Sequence, residues 1–351
     1  MLSAAITESK IGEIKNLISE SNKIVLICHV SPDGDAIGSS LALAMLLRKL
    51  GKITDIVTPD QPPKSLSFLP GVKDIVSYSC SPQVACKLFS EADLVICLDF
   101  NAISRIDDAF KAFSLCNSPK ILIDHHLNPE NFAQVIISEP SYSSTCLLLY
   151  RVIKLLEYTS YIDENIATCI YTGMVTDTGN FSYNSLSPEI YLTIAELLQK
   201  GLQKDEVYKC IYNSNTESKL RLNGYAISNK MYIYHDHAAG FIALTESELN
   251  KYNYTKGDTE GLVNIPLSIP GIVYSAFLRE SVDANGVHFI KVSMRSSGEF
   301  PVNTICERYF NGGGHKNAAG GEFYGSINDA LNILHSLFDE NDKLIKQLKT
   351  E

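Results

Sequence analysis

The sequence predicts an α/β protein in two parts: an N-terminal domain built on a parallel sheet, and a smaller α/β domain C-terminal to it. Three observations carry this. The chain has 351 residues, and at about 150 residues per domain that is length for two. In the first half, short unbroken apolar runs alternate with helical patterns, as in a parallel sheet covered on both faces. Beyond Met231, strand-like runs return after a polar helical stretch.

Taken in order, Lys23–Cys28 (KIVLIC) reads as a buried strand. Asp35–Leu50 reads as a helix stopped by Gly51. Ile53–Val57, Leu94–Leu98, Lys120–Ile123 and Val135–Ser138 read as further strands. From Ser143 to Met174 the pattern is helical, and Ser187–Lys200 is a helix with Pro188 in its first turn and Gly201 past its end. Asp205–Lys230 is polar and helical, a connector. Strands follow at Met231–Tyr234, Phe241–Leu244, Gly271–Leu278 and Val287–Met294, then a Gly-rich loop at Gly312–Gly314 and a final helix over Ile327–Leu348. The expected domains are therefore 1–200, a helical linker 201–230, and 231–351. No internal repeat or low-complexity tract interrupts them.

Composition narrows the function classes. Lys and Arg number 30 and Asp and Glu 40, a net charge of −10. Such a surface repels a long nucleic-acid duplex unless a local basic groove exists. No apolar run is long enough to cross a bilayer, and no N-terminal stretch has the make-up of an export signal. The nine cysteines include no C-x-x-C pair, and Cys28, Cys97 and Cys169 lie in apolar runs, which suits buried reduced thiols. The expected location is cytoplasmic, with no membrane partner.

Three strands end in acidic or histidine residues. The first is followed by His29-Val-Ser-Pro-Asp33-Gly-Asp35, the second by Asp99-Phe-Asn101, the third by Asp124-His125-His126. Ligands of open α/β sheets bind beyond the carboxyl ends of parallel strands, so these segments can converge. A fourth, Gly173-Met-Val-Thr-Asp177-Thr-Gly179-Asn180-Phe181, ends a helical stretch. Singly, each has a plain structural reading: an Asp after a strand is usually a helix cap or turn residue, and a lone His is usually packed or solvated. Together, His29, Asp33, Asp35, Asp99, His125 and Asp177 offer carboxylates and imidazoles that suit Mn²⁺, Fe²⁺, Co²⁺ or Zn²⁺. That many carboxylates repel unless cations lie among them. Two ions about 3.5–4 Å apart resolve this and point to hydrolysis of a phosphate ester or anhydride.

The order H-x-x-x-D-x-D, then D, then D-H-H, then G-x-x-x-D-T-G resembles the DHH phosphoesterase superfamily. Asn311-Gly-Gly-Gly314-His315-Lys-Asn-Ala318-Ala319-Gly320-Gly321 is similar to the G-G-G-H-x-x-A-A-G signature of the associated C-terminal domain, and Ser293-Met-Arg295-Ser296 fits the oligoribonuclease branch, the NrnA type. The resemblance implies an N-terminal DHH domain and a C-terminal substrate-binding domain. It implies hydrolysis of short RNA oligonucleotides to mononucleotides and of 3′-phosphoadenosine 5′-phosphate to AMP. It implies two Mn²⁺ ions, with Mg²⁺ or Co²⁺ as substitutes. His29, Asp33, Asp99 and Asp177 would hold one ion, and Asp35, Asp99, His125 and Asp177 the other. His126 would face the scissile phosphate as a charge or proton donor, and Asp124 would orient a histidine. Arg105, in the least standard segment, would be a further phosphate contact.

In the second domain, the resemblance assigns Arg295, Gly313, Gly314 and His315 to the part of the substrate distal to the cut. Glycines expose backbone N–H groups to anions, especially where a helix starts, and arginine binds phosphate bidentately. Arg279 reads equally well as a phosphate contact or a solvated strand-end residue. Ser143-Ser144-Thr145 reads as an N-cap, and His235 and His237 as a surface turn. Two other functions stay open: an exopolyphosphatase or inorganic pyrophosphatase on the same metal site, and a non-catalytic nucleotide-binding module. The first needs a dense basic cluster, yet Asn303–Gly321 holds only Arg308 and Lys316. The oligomeric state is open, a homodimer included.

Overall fold

The computed structural model describes residues 6–213, 215–283 and 286–348, apart from the side chain of His315. The chain forms two compact units, Met1–Ser214 and Asn215–Glu351. No described helix is long and apolar enough to cross a membrane.

The first unit contains α1 (Glu8–Glu20), β1 (Lys23–Ile27), α2 (Gly34–Lys49), β2 (Ile53–Thr58), β3 (Val76–Ser77), α3 (Pro82–Glu91) and β4 (Leu94–Leu98). It continues with α4 (Phe110–Phe113), β5 (Lys120–Asp124), β6 (Val135–Ser138), α5 (Thr145–Leu155), α6 (Glu164–Asp177), α7 (Pro188–Gln199) and α8 (Lys204–Tyr212). Its six strands are all parallel, in the order β3-β2-β1-β4-β5-β6. The strands read as continuous apolar runs because both faces are covered. Ile24, Leu26, Ile96, Leu98, Ile121 and Ile123 face a core shared with α1, α2, α5 and α6. Val25, Ile27, Val95, Cys97 and Leu122 face the opposite core, with Ala85 and Phe89 of α3 and Phe113 of α4. Strand order reverses between β1 and β4, and a crevice at such a switch point is where open α/β sheets bind ligands. All nine cysteines are free thiols.

The second unit contains α9 (Glu217–Lys230), β7 (Met231–Tyr234), β8 (Ala239–Leu244), α10 (Glu246–Lys251), β9 (Tyr274–Val282) and β10 (His288–Ser296). It ends with α11 (Val302–Tyr309), β11 (Gly313–His315), β12 (Ala318–Phe323), α12 (Ile327–Ser336) and α13 (Phe338–Leu348). Its sheet is mixed, in the order β11-β12-β10-β9-β8-β7, with β8 and β9 parallel and the other pairs antiparallel. Ile290, Val292 and Met294 pack one face against α11, α12 and α13, and Ile242, Leu244 and Phe277 pack the other against α9.

Four differences from the sequence reading have local causes. The stretch 205–230 is not one helix: it breaks after Tyr212, and Thr216 caps α9 by accepting the Lys219 N–H. The final helix breaks at Leu337, which lets Phe338 stack on His237 at 4.0 Å. β3 has two residues, too few to show a pattern. The Gly-rich segment, expected as a loop, instead supplies the edge strand β11, hydrogen-bonded to β12. Gly314 allows this contact, since a Cβ there would lie 2.6 Å from the Ala318 carbonyl oxygen.

Candidate metal centre

The acidic and histidine residues sit where chain elements end. β1 leads into His29, which is buried. Asp33 caps α2, its Oδ1 accepting the N–H groups of Asp35 (3.0 Å) and Ala36 (3.1 Å). This opens the helix at Gly34 and turns Asp35 inward, 1% exposed. Asp99 follows β4 in the left-handed region (φ 65°), a conformation short polar side chains tolerate, and its N–H donates to the Ile123 carbonyl at 3.2 Å. Asp124 is the last residue of β5, with His125 and His126 next. Asp177 is the last residue of α6, which packs on α2.

These ends converge. His29 Nε2 lies 3.4 Å from Asp99 Oδ2 and 3.9 Å from Asp33 Oδ1. His125 Nε2 lies 3.4 Å from Asp177 Oδ2, 3.7 Å from Asp99 Oδ1 and 4.0 Å from Asp35 Oδ2. In the groups His29–Asp33–Asp99 and Asp35–His125–Asp177, the facing nitrogen and oxygen atoms all lie within 4.8 Å of one another. Among the described residues, Asp99 is the carboxylate within 4.0 Å of both Nε2 atoms. By distance Asp177 belongs with His125.

The rings are aimed. His29 Nδ1 donates to the Val30 carbonyl at 2.8 Å, and His125 Nδ1 to the Tyr142 carbonyl at 3.1 Å. A carbonyl only accepts, so Nδ1 carries a proton and Nε2 is the atom turned to the carboxylates, the nitrogen that a bound metal ion would take in place of a proton. Asp124 does not orient either ring. Its Oδ1 accepts from His126 Nδ1 at 2.7 Å, so it fixes His126 instead. This donor set, hard carboxylates with two inward imidazole nitrogens, fits divalent ions of the Mn²⁺ class.

Electrostatics agree with a cation-binding site. Burial lifts Asp35 well above the ordinary carboxylate range, followed by the charges of Asp99, Asp177 and Asp33, against the Cys146 N–H. Asp177 is pushed up to about 7, by burial first, with His125 opposing and Asp99 and Asp33 adding. Burial acts the same way on Asp99, but the hydrogen bond and charge of His29, then His125 and His126, hold it below its usual value. Burial disfavours charge on His29, yet Asp99 and Asp33 raise it to about 9. His126 is also raised: burial opposes, while the Asp124 hydrogen bond and the charges of Asp99 and Asp124 win.

Two contributors escaped the sequence reading. Ser144 does cap α5, accepting the Leu147 N–H at 3.1 Å. The next two residues do more. The N–H groups of Thr145 and Cys146 donate to Asp35 Oδ2 (2.6 Å) and Oδ1 (2.8 Å), and Thr145 Oγ1 donates to Asp99 Oδ1 (2.9 Å). A helix start supplies unpaired N–H groups to an anion; the Ser-Ser-Thr sequence was the signal, read only as a cap. Gly173 is the second: a Cβ there would lie 2.5 Å from Asp35 Oδ1 and 2.2 Å from Cys146 Sγ. The glycine of the G-x-x-x-D segment thus leaves room for the carboxylate.

The other expected residues fall as follows. Arg105 lies in a 3₁₀ turn tied to the β1 loop, its carbonyl accepting the Val30 N–H at 2.7 Å, and its charge opposes protonation of His126. Arg295 is half-buried on β10, with Nη1 donating to the Met294 carbonyl at 2.9 Å. Ala318 pairs with both Arg295 and His315, so these three share one row across the sheet. The His315 side chain lies outside the described residues, and Gly313 and Gly314 begin no helix. His235–His237 form a 3₁₀ turn, and His237 is more than surface: it stacks on Phe338 and bonds Asp342 at 2.8 Å.

Known proteins share this chain's domain organisation and fold. The profile of the DHH family, N-terminal domain, matches residues 23–174, and that of the DHHA1 domain matches residues 237–340. The bifunctional oligoribonuclease and PAP phosphatase NrnA of Thermus thermophilus is 33% identical over 325 residues, covering 91% of each chain. A crystal structure of an exopolyphosphatase-related protein from Bacteroides fragilis is 46% identical, with a TM-score of 0.93 over 98% of this chain and 100% of that one. RecJ from Thermus thermophilus, solved in complex with Mn²⁺, shares the fold at 12% identity and a TM-score of 0.54, over 97% of this chain and 56% of RecJ. With a DHH domain followed by a DHHA1 domain, and a third of its residues shared with that NrnA across nine-tenths of both chains, this chain belongs to the DHH family.

Proposed function

We propose that this protein is a two-metal phosphoesterase that cleaves short RNA oligonucleotides to mononucleotides and converts 3′-phosphoadenosine 5′-phosphate to AMP. The observation that carries the reading is Asp99, a carboxylate within 4.0 Å of two inward-facing imidazole nitrogens from different strand ends. The activities named for the Thermus relative support the substrate choice. His29, Asp33 and Asp99 would hold one Mn²⁺ and Asp35, His125 and Asp177 a second, with Asp99 shared and Asp177 reaching both as the family resemblance implies. When bound, such ions polarise phosphoryl oxygens and make water acidic enough to attack phosphorus near neutral pH.

The chain's own groups supply the rest. Asp124 fixes the His126 ring and, with Asp99, favours its protonated form. His126 then offers positive charge, or a proton, to the oxygen that leaves phosphorus as the P–O bond breaks. Arg105 adds charge near the same ring. In the second unit, Arg295, Gly313, Gly314 and His315 hold the part of the substrate away from the cut. The nine free thiols support a cytoplasmic location.

Polyphosphate is the weaker substrate class. Arg308 is engaged by Glu340 and Lys316 by Glu299, so neither basic residue of that segment is uncommitted. A product assay with Mn²⁺ tests the choice, using a 5′-phosphorylated diribonucleotide, 3′-phosphoadenosine 5′-phosphate, pyrophosphate and a long polyphosphate side by side. Turnover of the first two is expected. Turnover of only the inorganic substrates reassigns the function, and failure to bind Mn²⁺ revives a non-catalytic module.

A further inference from the structure

Asp60 lies outside the metal centre, yet a continuous chain of hydrogen bonds joins it to His29. It stands two residues past β2, beside the loop that follows β1, because the two strands pair in parallel with Ile27 opposite Val57. Its backbone is fixed from the strand side. The buried Thr58 hydroxyl donates to the Asp60 carbonyl at 2.6 Å, and the neighbouring Pro59 carbonyl accepts the Ser79 N–H at 3.0 Å. Among the described residues the half-buried Asp60 carboxylate takes hydrogen bonds from Ser31 alone. The Ser31 N–H donates to Oδ2 at 2.9 Å and the hydroxyl to the same oxygen at 3.4 Å.

Ser31 stands midway between His29 and Asp33 and holds a left-handed backbone (φ 53°). A residue with a side chain keeps that conformation only where its surroundings demand it. Its N–H belongs to the same peptide group as the Val30 carbonyl, which accepts His29 Nδ1 at 2.8 Å. The Val30 N–H is held in turn by the Arg105 carbonyl at 2.7 Å. The path therefore runs from Asp60 Oδ2 through one peptide group to Nδ1, and out at Nε2, 3.4 Å from Asp99 Oδ2. A carboxylate on a peptide N–H draws negative charge onto the carbonyl oxygen, and hydrogen bonds in series strengthen one another. A stronger acceptor at Nδ1 fixes the ring and makes Nε2 a better ligand for a cation. His125 lacks this device. Its Nδ1 donates to the Tyr142 carbonyl, and among the described residues no carboxylate accepts the Ser143 N–H of that peptide. We propose that Asp60 is a positioning residue that aims His29 and raises its affinity for a divalent ion through the Val30–Ser31 peptide. This rests on the reading that His29 holds one of two ions.

Calorimetric titration of the full-length protein, stripped of metal, with Mn²⁺ tests it in Asp60→Ala and Asp60→Asn. In Asp60→Ala one of the two ions is expected to bind about tenfold more weakly, the lower end of the cost of losing a group that holds a ligand. The other ion should bind as in wild type. Asparagine keeps an oxygen for the Ser31 N–H but no charge, so its loss should be about threefold. At saturating Mn²⁺, kcat and KM of both variants for a 5′-phosphorylated diribonucleotide should return to wild-type values. A loop damaged in shape would instead lower kcat at every Mn²⁺ concentration. Unchanged affinity for both ions in Asp60→Ala, equal weakening of both, or a kcat loss that excess Mn²⁺ does not repair overturns the proposal. So does wild-type affinity in Asp60→Asn, which also decides the matter if the alanine variant fails to fold. A wild-type protein that binds no Mn²⁺ defeats the two-ion reading beneath it.

Discussion

Thr145 binds two carboxylates that arrive from different strand ends: its backbone N–H donates to Asp35 Oδ2 at 2.6 Å, and its hydroxyl donates to Asp99 Oδ1 at 2.9 Å. The residue is fully buried at the start of α5. One helix start therefore sets the relative position of a carboxylate from each of the two proposed ion sites.

Thr145→Val removes the hydroxyl at nearly constant volume and keeps the backbone N–H. Mn²⁺ affinity, read by calorimetric titration, is expected to fall about 10- to 100-fold, the usual cost of losing a group that holds a ligand. Thr145→Ser should recover most of it. Unchanged Mn²⁺ affinity in the valine variant would show that the hydroxyl does not position Asp99.

Asp99→Ala is expected to lower kcat by at least about a hundredfold, because both proposed ion sites would lose the carboxylate assigned to each. The count of bound Mn²⁺ per chain should fall as well. Near-normal turnover with two ions still bound would refute the shared-ligand assignment.

Gly173→Ala tests the space around Asp35. The added methyl meets Asp35 Oδ1 and Cys146 Sγ at distances no real contact shows. Either α6 moves away from α2 or Asp35 is displaced, and a core that must shift to admit a methyl loses about 1–3 kcal/mol. Mn²⁺ affinity and melting temperature should fall together. A variant with wild-type values of both would mean that the helices part freely.

Glu248 gives a pH-dependent prediction remote from the proposed ion sites. Burial opposes its charge, but Lys230, the Thr245 N–H and the Tyr225 hydroxyl hold its carboxyl down at about 2. A depressed acid contributes stability above its ordinary pKa near 4.5 and loses it as pH falls toward 2. With the side chain only 15% exposed, Glu248→Gln should destabilise the protein by about 2 kcal/mol at pH 7. The gap from wild type should close between pH 4.5 and 2. A gap independent of pH would assign the loss to packing.

Much of the architecture was legible in the residue pattern, for local reasons. Lys23–Cys28, Leu94–Leu98 and Lys120–Ile123 are apolar without alternation because helices cover both sheet faces. His29, Asp33, Asp35, Asp99 and His125 could be singled out because they follow those strands, whose carboxyl ends lie at one edge of a parallel sheet. Elements whose limits depend on distant contacts were read less well. β11 exists because glycines let the chain lie against β12, and the break at Leu337 comes where Phe338 stacks on His237.

The sequence by itself determined the domain types, the set of carboxylates and imidazoles, and their order along the chain, since these follow from residue chemistry and strand periodicity. Tertiary structure alone decided which groups touch. It put Thr145 and Cys146 on Asp35, gave Asp124 to His126, and placed Asp99 between two histidines. Those pairings depend on register, helix packing and side-chain direction, which arise only when residues far apart in the chain pack against one another.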